Sequence, residues 1–169
     1  EKLSWSNSLM FMGNVLNDSA TPNDSKISIE FQIPLTSKRI DFIIAGLGEN
    51  REEQVIIIEL KQWSSAQLTE KDAVVSTRFQ HGVTETAHPS YQAWSYAAMI
   101  ENFNSTVQDE NIELVPCAYL HNYTPDNVIT NPFYSEHIEK APVFLKNDAL
   151  KLREFIKSHI KYGDNKDIL

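Results

Sequence analysis

Three charged residues that could bind a metal ion or act in catalysis lie in two apolar segments of the chain. Asp41 begins one segment, and Glu59 and Lys61 end the run at 55–61. Side chains alternate along a strand, so Glu59 and Lys61 share a face, and a hairpin would bring Asp41 within ~4.5–8 Å of them. Because Mg²⁺ prefers oxygen ligands and retains several waters, two carboxylates suffice to hold it. The spacing therefore predicts a Mg²⁺ or Mn²⁺ centre with Asp41, Glu59 and the Leu60 carbonyl as ligands, where Lys61 positions water or stabilises charge.

A second pair of polar side chains follows in a segment with helical character. Gln92 and Tyr96 are four residues apart, so a helix places them on one face. An amide beside a phenol hydroxyl suits a phosphate or an unstacked base. Structural alternatives stay open for each of these residues. Gln92 and Tyr96 can belong to the packing face of the helix, and Glu59 and Lys61 can lie at a solvated strand end. Asp41 can form an ion pair with Arg39.

The elements that must position these residues follow from periodicity and turn signals. The pattern predicts an antiparallel meander of three strands, a helix that carries Gln92 and Tyr96, and then a buried strand. The segment at 64–87 is polar and predicts irregular structure with one short strand near 73–77. The predicted order is helix 4–16, turn 17–25, strands 27–35, 38–45 and 55–61, helix 88–103, strand 112–123, loop 124–141, short strand 142–146 and helix 148–163.

Composition narrows the possible classes of protein. A length of 169 residues fits one domain, and the net charge of −8 argues against nucleic-acid binding by bulk charge. The single cysteine, Cys117, excludes an internal disulfide and a cysteine zinc cluster, which favours a cytoplasmic location. Five glycines leave no phosphate-binding loop for ATP. No apolar run predicts a membrane span, and the missing initiator Met leads us to expect a domain excised from a longer protein.

The ordered set of Asp41, then Glu59 and Lys61, then Gln92 and Tyr96 resembles the PD-(D/E)xK nuclease superfamily. Its Gln-x-x-x-Tyr element is similar to that of the RecB-like branch. The segments SKRIDFIIAG, VIIIELKQW, HPSYQAWSYAAMIENF and KLREFIKSHIKYGD resemble the N-terminal nuclease-like domain of bacterial proteins that carry a Schlafen-like helicase domain. This resemblance covers residues 27–163.

The resemblance implies an α/β fold, with a mixed central sheet flanked by helices and a restriction-endonuclease-like core. It implies that Asp41 and Glu59 bind the metal, that Lys61 is the motif lysine, and that Gln92 and Tyr96 contact nucleic acid or the metal's water shell. The implied activity is Mg²⁺-dependent hydrolysis of phosphodiester bonds, in DNA rather than RNA. The implied partner is a C-terminal helicase domain of the same polypeptide, in defence against foreign DNA. No oligomeric state is predicted.

Two departures from the family pattern keep other functions open. The first predicted helix carries no acid, so Glu30 on the first strand is the nearest auxiliary candidate, and Ile40 stands where the family has proline. The alternatives are a catalytically silent fold that binds nucleic acid and a protein-interaction module that regulates the helicase.

Three further residues each carry a simple expectation. His88 caps the helix at 88–103 or faces the site, and capping is favoured. Trp63 packs over the strand end or stacks a base, and packing is favoured. Cys117 is an inert core thiol.

Overall fold

The computed structural model describes residues 2–17, 22 and 24–163, so most of the turn predicted at 17–25 lies outside the described residues. In chain order the elements are α1 (Lys2–Leu16), β1 (Lys26–Gln32), β2 (Arg39–Leu47), β3 (Glu53–Lys61), β4 (Gln67–Leu68), β5 (Val74–Phe79), β6 (Gly82–Ala87), α2 (Pro89–Phe103), α3 (Ser105–Asp109), β7 (Glu113–Leu120), a 3₁₀ turn (Pro132–Tyr134), α4 (Ser135–Lys140), β8 (Val143–Phe144) and α5 (Ala149–His159).

The larger sheet of the described residues has five strands in the order β1-β2-β3-β7-β8. The first three strands pair antiparallel, which confirms the predicted meander. β7 pairs parallel with β3 on one side and with β8 on the other. The sheet is therefore mixed, and the predicted α/β architecture with a mixed central sheet and helices is confirmed.

β3 lies in the middle of this sheet with both faces buried. Val55 and Ile57 pack in a cluster with residues of α2, whereas Ile56 and Ile58 pack in a cluster with residues of α1 and α5. Such an apolar strand is stable only when both faces are covered, because each exposed isoleucine would lose its burial energy. Cys117 of β7 lies beside Ile58 and is fully buried, as predicted for a core thiol.

The segment at 64–87, predicted as irregular with one short strand near 73–77, forms a second, three-stranded sheet of β4, β5 and β6. β5 confirms the predicted short strand, whereas β4 and β6 were not predicted. β5 and β6 pair from Val74 and Ala87 to Phe79 and Gly82. β6 is largely exposed, so its residues show no alternation of apolar and polar types. The β-branched residues of both strands were the usable signal, since Val and Thr favour extended backbone.

One further prediction of irregular chain was wrong. The segment at 124–141 contains the 3₁₀ turn and α4, because Asn131 caps the turn and the side chains of Tyr134 and His137 are buried. α2 ends at Phe103 as predicted. A short helix, α3, follows it, and the Asn104 side chain accepts a hydrogen bond from the backbone N–H of Val107 at its start.

The last helix, predicted to reach residue 163, ends at His159. The chain then extends, and Tyr162 forms an isolated bridge with Leu47 of β2. Among the described helices, none has the length and apolar character needed to cross a membrane.

Candidate functional site

The candidate site lies in a fork where β2 and β3 separate. The two strands are in register from Leu47 and Glu53 as far as Phe42 and Ile58. Beyond that point the side chain of Asp41 replaces the backbone pairing, because its Oδ2 accepts a hydrogen bond of 2.9 Å from the Leu60 N–H. Asp41 is thereby fixed against β3 at the level of Glu59.

A local irregularity in β1 and β2 accompanies the fork. Phe42 packs on the α1 side of the sheet, but Ile40, two residues earlier, packs on the α2 side. β1 changes face at the same level, because Ile29 lines a groove with Phe42 and α1 whereas Phe31 packs on the α2 side. The change falls at Glu30, whose φ of 52° is in the left-handed region and is unusual for a strand residue.

Glu59 is the most enclosed acid of the site. It is 3% exposed, and its Oε1 lies 2.8 Å from the Lys61 Nζ. Its Oε2 is buried and has no hydrogen-bond partner among the described residues. A buried carboxylate oxygen without a donor is costly, so this atom marks a position that favours a cation or a proton.

Burial raises the pKa of Glu59 to about 7; the Lys61 ammonium opposes this shift, and the neighbouring Asp41 carboxylate adds to it. Burial also raises the pKa of Asp41, against the lowering effects of the Leu60 N–H and Lys61. The interaction of the two carboxyl groups is one-sided, since Asp41 raises the pKa of Glu59 whereas Glu59 lowers the pKa of Asp41. A pair in which one carboxyl group is ionised and disfavours the ionisation of the other is typical of two acids that share a site, and a bound cation would offset their charge.

Lys61 remains charged in this environment. Burial disfavours its ammonium, but the Glu59 carboxylate outweighs burial and raises the pKa of Lys61, with a further contribution from Asp41. The Lys61 side chain is 19% exposed, so it is paired with Glu59 and keeps limited contact with solvent. Glu59 and Lys61 share the face of β3 as predicted.

Gln92 and Tyr96 lie on one face of α2, and the Gln92 Nε2 donates a hydrogen bond of 2.8 Å to the Tyr96 hydroxyl. Burial raises the pKa of Tyr96, and the charges of Glu59, Lys61 and Asp41 all act on it. The hydroxyl therefore stays protonated and belongs to the same electrostatic cluster as the fork. The structure thus brings together the five residues of the predicted site: Asp41, Glu59, Lys61, Gln92 and Tyr96.

Glu30 is placed at the margin of this cluster. It lies between the paired positions that flank Asp41 on β2, and its charge raises the pKa of Asp41. Its carboxylate is about half exposed and is 3.9 Å from Arg39. The expected ion pair of Arg39 with Asp41 is therefore replaced by one with Glu30.

The donor set suits a hard divalent cation only in part. The Leu60 N–H points to Asp41, and since the N–H and C=O of one strand residue point to the same edge, the Leu60 carbonyl also faces the fork. Two carboxylates and this carbonyl supply oxygen ligands on one side, and water would have to supply the others. In the described part of the chain, no three His, Cys, Asp or Glu side chains form a group that could hold a metal.

Comparisons of this chain with protein-family models, curated proteins and solved structures find no match. The site must therefore be judged from its own geometry. His88 is buried and caps α2, since its Nδ1 accepts a hydrogen bond from the Ser90 N–H, which confirms the favoured prediction.

Sequence reasoning missed one neighbour of the site. Phe79 ends β5, two residues beyond the short strand predicted near 73–77, and its ring meets Trp63 edge-on. The signal that could have found it was the β-branched content of β6, because a second strand after β5 predicts a hairpin whose turn follows Phe79.

Proposed function

We propose that this chain is a metal-dependent nuclease domain with a restriction-endonuclease-like core that hydrolyses phosphodiester bonds. The single observation that carries the proposal is the unpartnered, buried Oε2 of Glu59, in a fork where Asp41 is held by the Leu60 N–H. An enclosed acid with a raised pKa beside a second acid lowers the stability of a fold, so such pairs are found mainly at functional sites. A cation between the carboxylates would remove that loss of stability.

Each residue of the fork has a distinct role in this proposal. Asp41 and Glu59 would hold Mg²⁺ or Mn²⁺ with the Leu60 carbonyl; the metal, when bound, would polarise a phosphoryl oxygen and lower the pKa of a water. Lys61, which lies 2.8 Å from Glu59, would orient the attacking water or stabilise charge on the phosphoryl group. Tyr96, whose hydroxyl oxygen accepts a hydrogen bond from Gln92, would donate a hydrogen bond from this hydroxyl to a phosphate oxygen.

The substrate in this proposal is DNA, and the partner is a helicase domain of the same polypeptide in defence against foreign DNA. The chain carries a net charge of −8, so its own surface attracts a polyanion weakly. A separate motor that delivers the strand would compensate for this weak attraction.

The test is cleavage of labelled single- and double-stranded DNA and RNA with Mg²⁺, Mn²⁺ or EDTA. We expect metal-dependent cleavage, and a loss of about 10²–10³-fold in rate in each of Asp41→Asn, Glu59→Gln and Lys61→Ala.

The matched controls are Glu101→Gln, an exposed acid on α2, and Lys71→Ala, an exposed lysine paired with Glu85. Both should cleave at the parent rate. Cleavage that survives in Lys61→Ala and Asp41→Asn would remove the fork from consideration as the active site.

A catalytically silent domain that binds nucleic acid or regulates the helicase is the second candidate. The observation that favours it is the absence, in the described residues, of a third acidic or histidine ligand beside Asp41 and Glu59. Calorimetry with Mn²⁺ separates the two. Heat of binding that is lost in Glu59→Gln supports the nuclease, whereas oligonucleotide binding with neither metal heat nor cleavage supports the silent domain.

A further inference from the structure

An aromatic pair lies beside the motif lysine, and the proposed chemistry makes no use of it. The Lys61 Nζ is 5.5 Å from the centroid of the Trp63 ring. Trp63 meets Phe79 edge-on, with ring centroids 6.3 Å apart and an interplanar angle of 87°. Trp63 is half-buried against a core cluster, and Phe79 is 42% exposed.

Two different elements hold these rings at the fork. Trp63 follows the end of β3 by two residues, so its position is tied to that of Lys61. Phe79 ends β5 at the tip of a hairpin, where Gly82 has a φ of 116° that other residues rarely adopt. Val83 beside it is 62% exposed. The hairpin thus presents apolar side chains to solvent beside a charged site.

The charges of this region favour the stacking of a base on an aromatic ring over the binding of a duplex through its phosphate backbone. The small sheet and its loops carry Lys71 and Arg78 against three acids, and Lys71 is already paired with Glu85. Phosphate tracking needs a positive surface, whereas an aromatic face can bind any base that is free to stack.

We propose that the Trp63 ring, flanked edge-on by Phe79, forms a platform on which an unstacked base packs next to the phosphate held at Asp41, Glu59 and Lys61, so that the site selects single-stranded nucleic acid. This proposal rests on the proposed function. A base within a duplex already has both faces stacked on its neighbours, so only a single-stranded or frayed segment supplies a free face. Lys61 joins the two parts, since it contacts Glu59 on one side and lies near the Trp63 ring on the other.

The test is equilibrium binding of one 2-aminopurine-labelled oligonucleotide, single-stranded or annealed, with cleavage disabled by Asp41→Asn. In that background, Trp63→Ala should weaken single-strand binding about tenfold and reduce quenching of the 2-aminopurine, and Trp63→Phe should retain both within about threefold. Duplex binding should change less than twofold. Equal losses for both substrates, or none for the single strand, would overturn the platform.

Phe79→Ala provides the second variant, because Phe79 is more exposed than Trp63 and its truncation disturbs the core less. Val83→Ala is its matched control in the same hairpin and should bind as the parent does. Circular dichroism melts establish that each variant is folded.

The outcomes separate this proposal from the nuclease assignment. Selective loss of single-strand binding in a chain that cleaves nothing supports the platform alone, and cleavage that depends on Lys61 with unchanged binding in Trp63→Ala supports the nuclease alone. A parent chain that binds no oligonucleotide overturns the platform.

Discussion

Glu59 combines enclosure in the sheet with one bonded and one unbonded carboxylate oxygen. The bond to Lys61 favours the charged form, while burial and the Asp41 carboxylate favour the protonated form, and the net result is a pKa of about 7. Near neutral pH the folded chain therefore still binds a proton at this residue in part of the molecules. A cation bound at the fork would displace that proton.

This acid should give the chain a distinctive pH dependence. Between pH 4.5, the ordinary pKa of Glu, and pH 7, the folded state binds more protons at Glu59 than the unfolded state does, so this residue's contribution to stability falls as pH rises. Urea unfolding from pH 4.5 to 8 should show that Glu59→Gln removes this loss. Affinity for Mn²⁺ in the parent should rise across the same window, since the ligand must be deprotonated.

A parent whose Mn²⁺ affinity is flat between pH 5 and 8 would contradict the assignment of Glu59 as a ligand. Glu101→Gln, at an exposed position, should preserve both pH profiles.

The positions of Asp41, Glu59 and Lys61 could be predicted because each follows from side-chain alternation on strands with strong apolar patterns. The capture of the Leu60 N–H by Asp41 could not, because it depends on where β2 leaves β3. That separation accompanies the left-handed backbone of Glu30, and no local signal marks this residue as irregular.

At the scale of elements, α2 is fixed to its surroundings at its first turn. The His88 Nε2 donates to the Ile129 carbonyl at 2.8 Å while its Nδ1 accepts from the Ser90 N–H. The ring must be neutral to do both, and burial lowers the pKa of His88 to about 4, the Ile129 bond opposing this shift. The cap therefore sets the rotation and height of the helix that presents Gln92 and Tyr96.

Replacement of His88 should destabilise the chain through the loss of both bonds. We expect His88→Ala to lower the free energy of unfolding by roughly 2 kcal/mol or more, since a helix cap and the partner of a buried carbonyl are removed. His88→Asn should recover part of this, because Asn is a good cap. Urea denaturation at pH 7 measures both variants.

His88 should also make the folded chain less stable at acidic pH. The unfolded chain binds a proton at His88 near pH 6.5 but the folded chain only near 4, so stability from this residue falls as pH drops through that range. His88→Asn should lack that component. An unchanged acid profile in His88→Asn would show that another group is responsible.

Sequence patterns predicted elements with cores on both faces better than elements that depend on their neighbours. β3 and α2 carry their own apolar patterns, whereas β6 is held mainly by its ladder to β5 and α4 by buried Tyr134 and His137. Such elements gain their stability from contacts distant in sequence, which local periodicity does not register.

At the scale of the whole molecule, the parallel pairing of β3 and β7 requires a long connection between them. The chain between these strands holds the small sheet, α2 and α3, so the crossover itself supplies Phe79, Gln92 and Tyr96 to the fork. The meander supplies the acids and the crossover supplies the remaining groups. The strand order could not be read from the sequence, because no local pattern states which strands become neighbours.

The buried thiol of Cys117 provides a chemical probe of local opening of the core. Burial raises the pKa of this thiol far above neutrality, and Cys117 lies beside Ile58, one residue from Glu59. Cys117 packs in the cluster that α1 and α5 cover, so an alkylating reagent can reach it only when this part of the core opens, and its labelling rate measures the frequency of that opening. Because the chain has a single cysteine, a second one placed at the exposed Val83 would carry a dye on the hairpin tip alone, as long as the sheet stays closed.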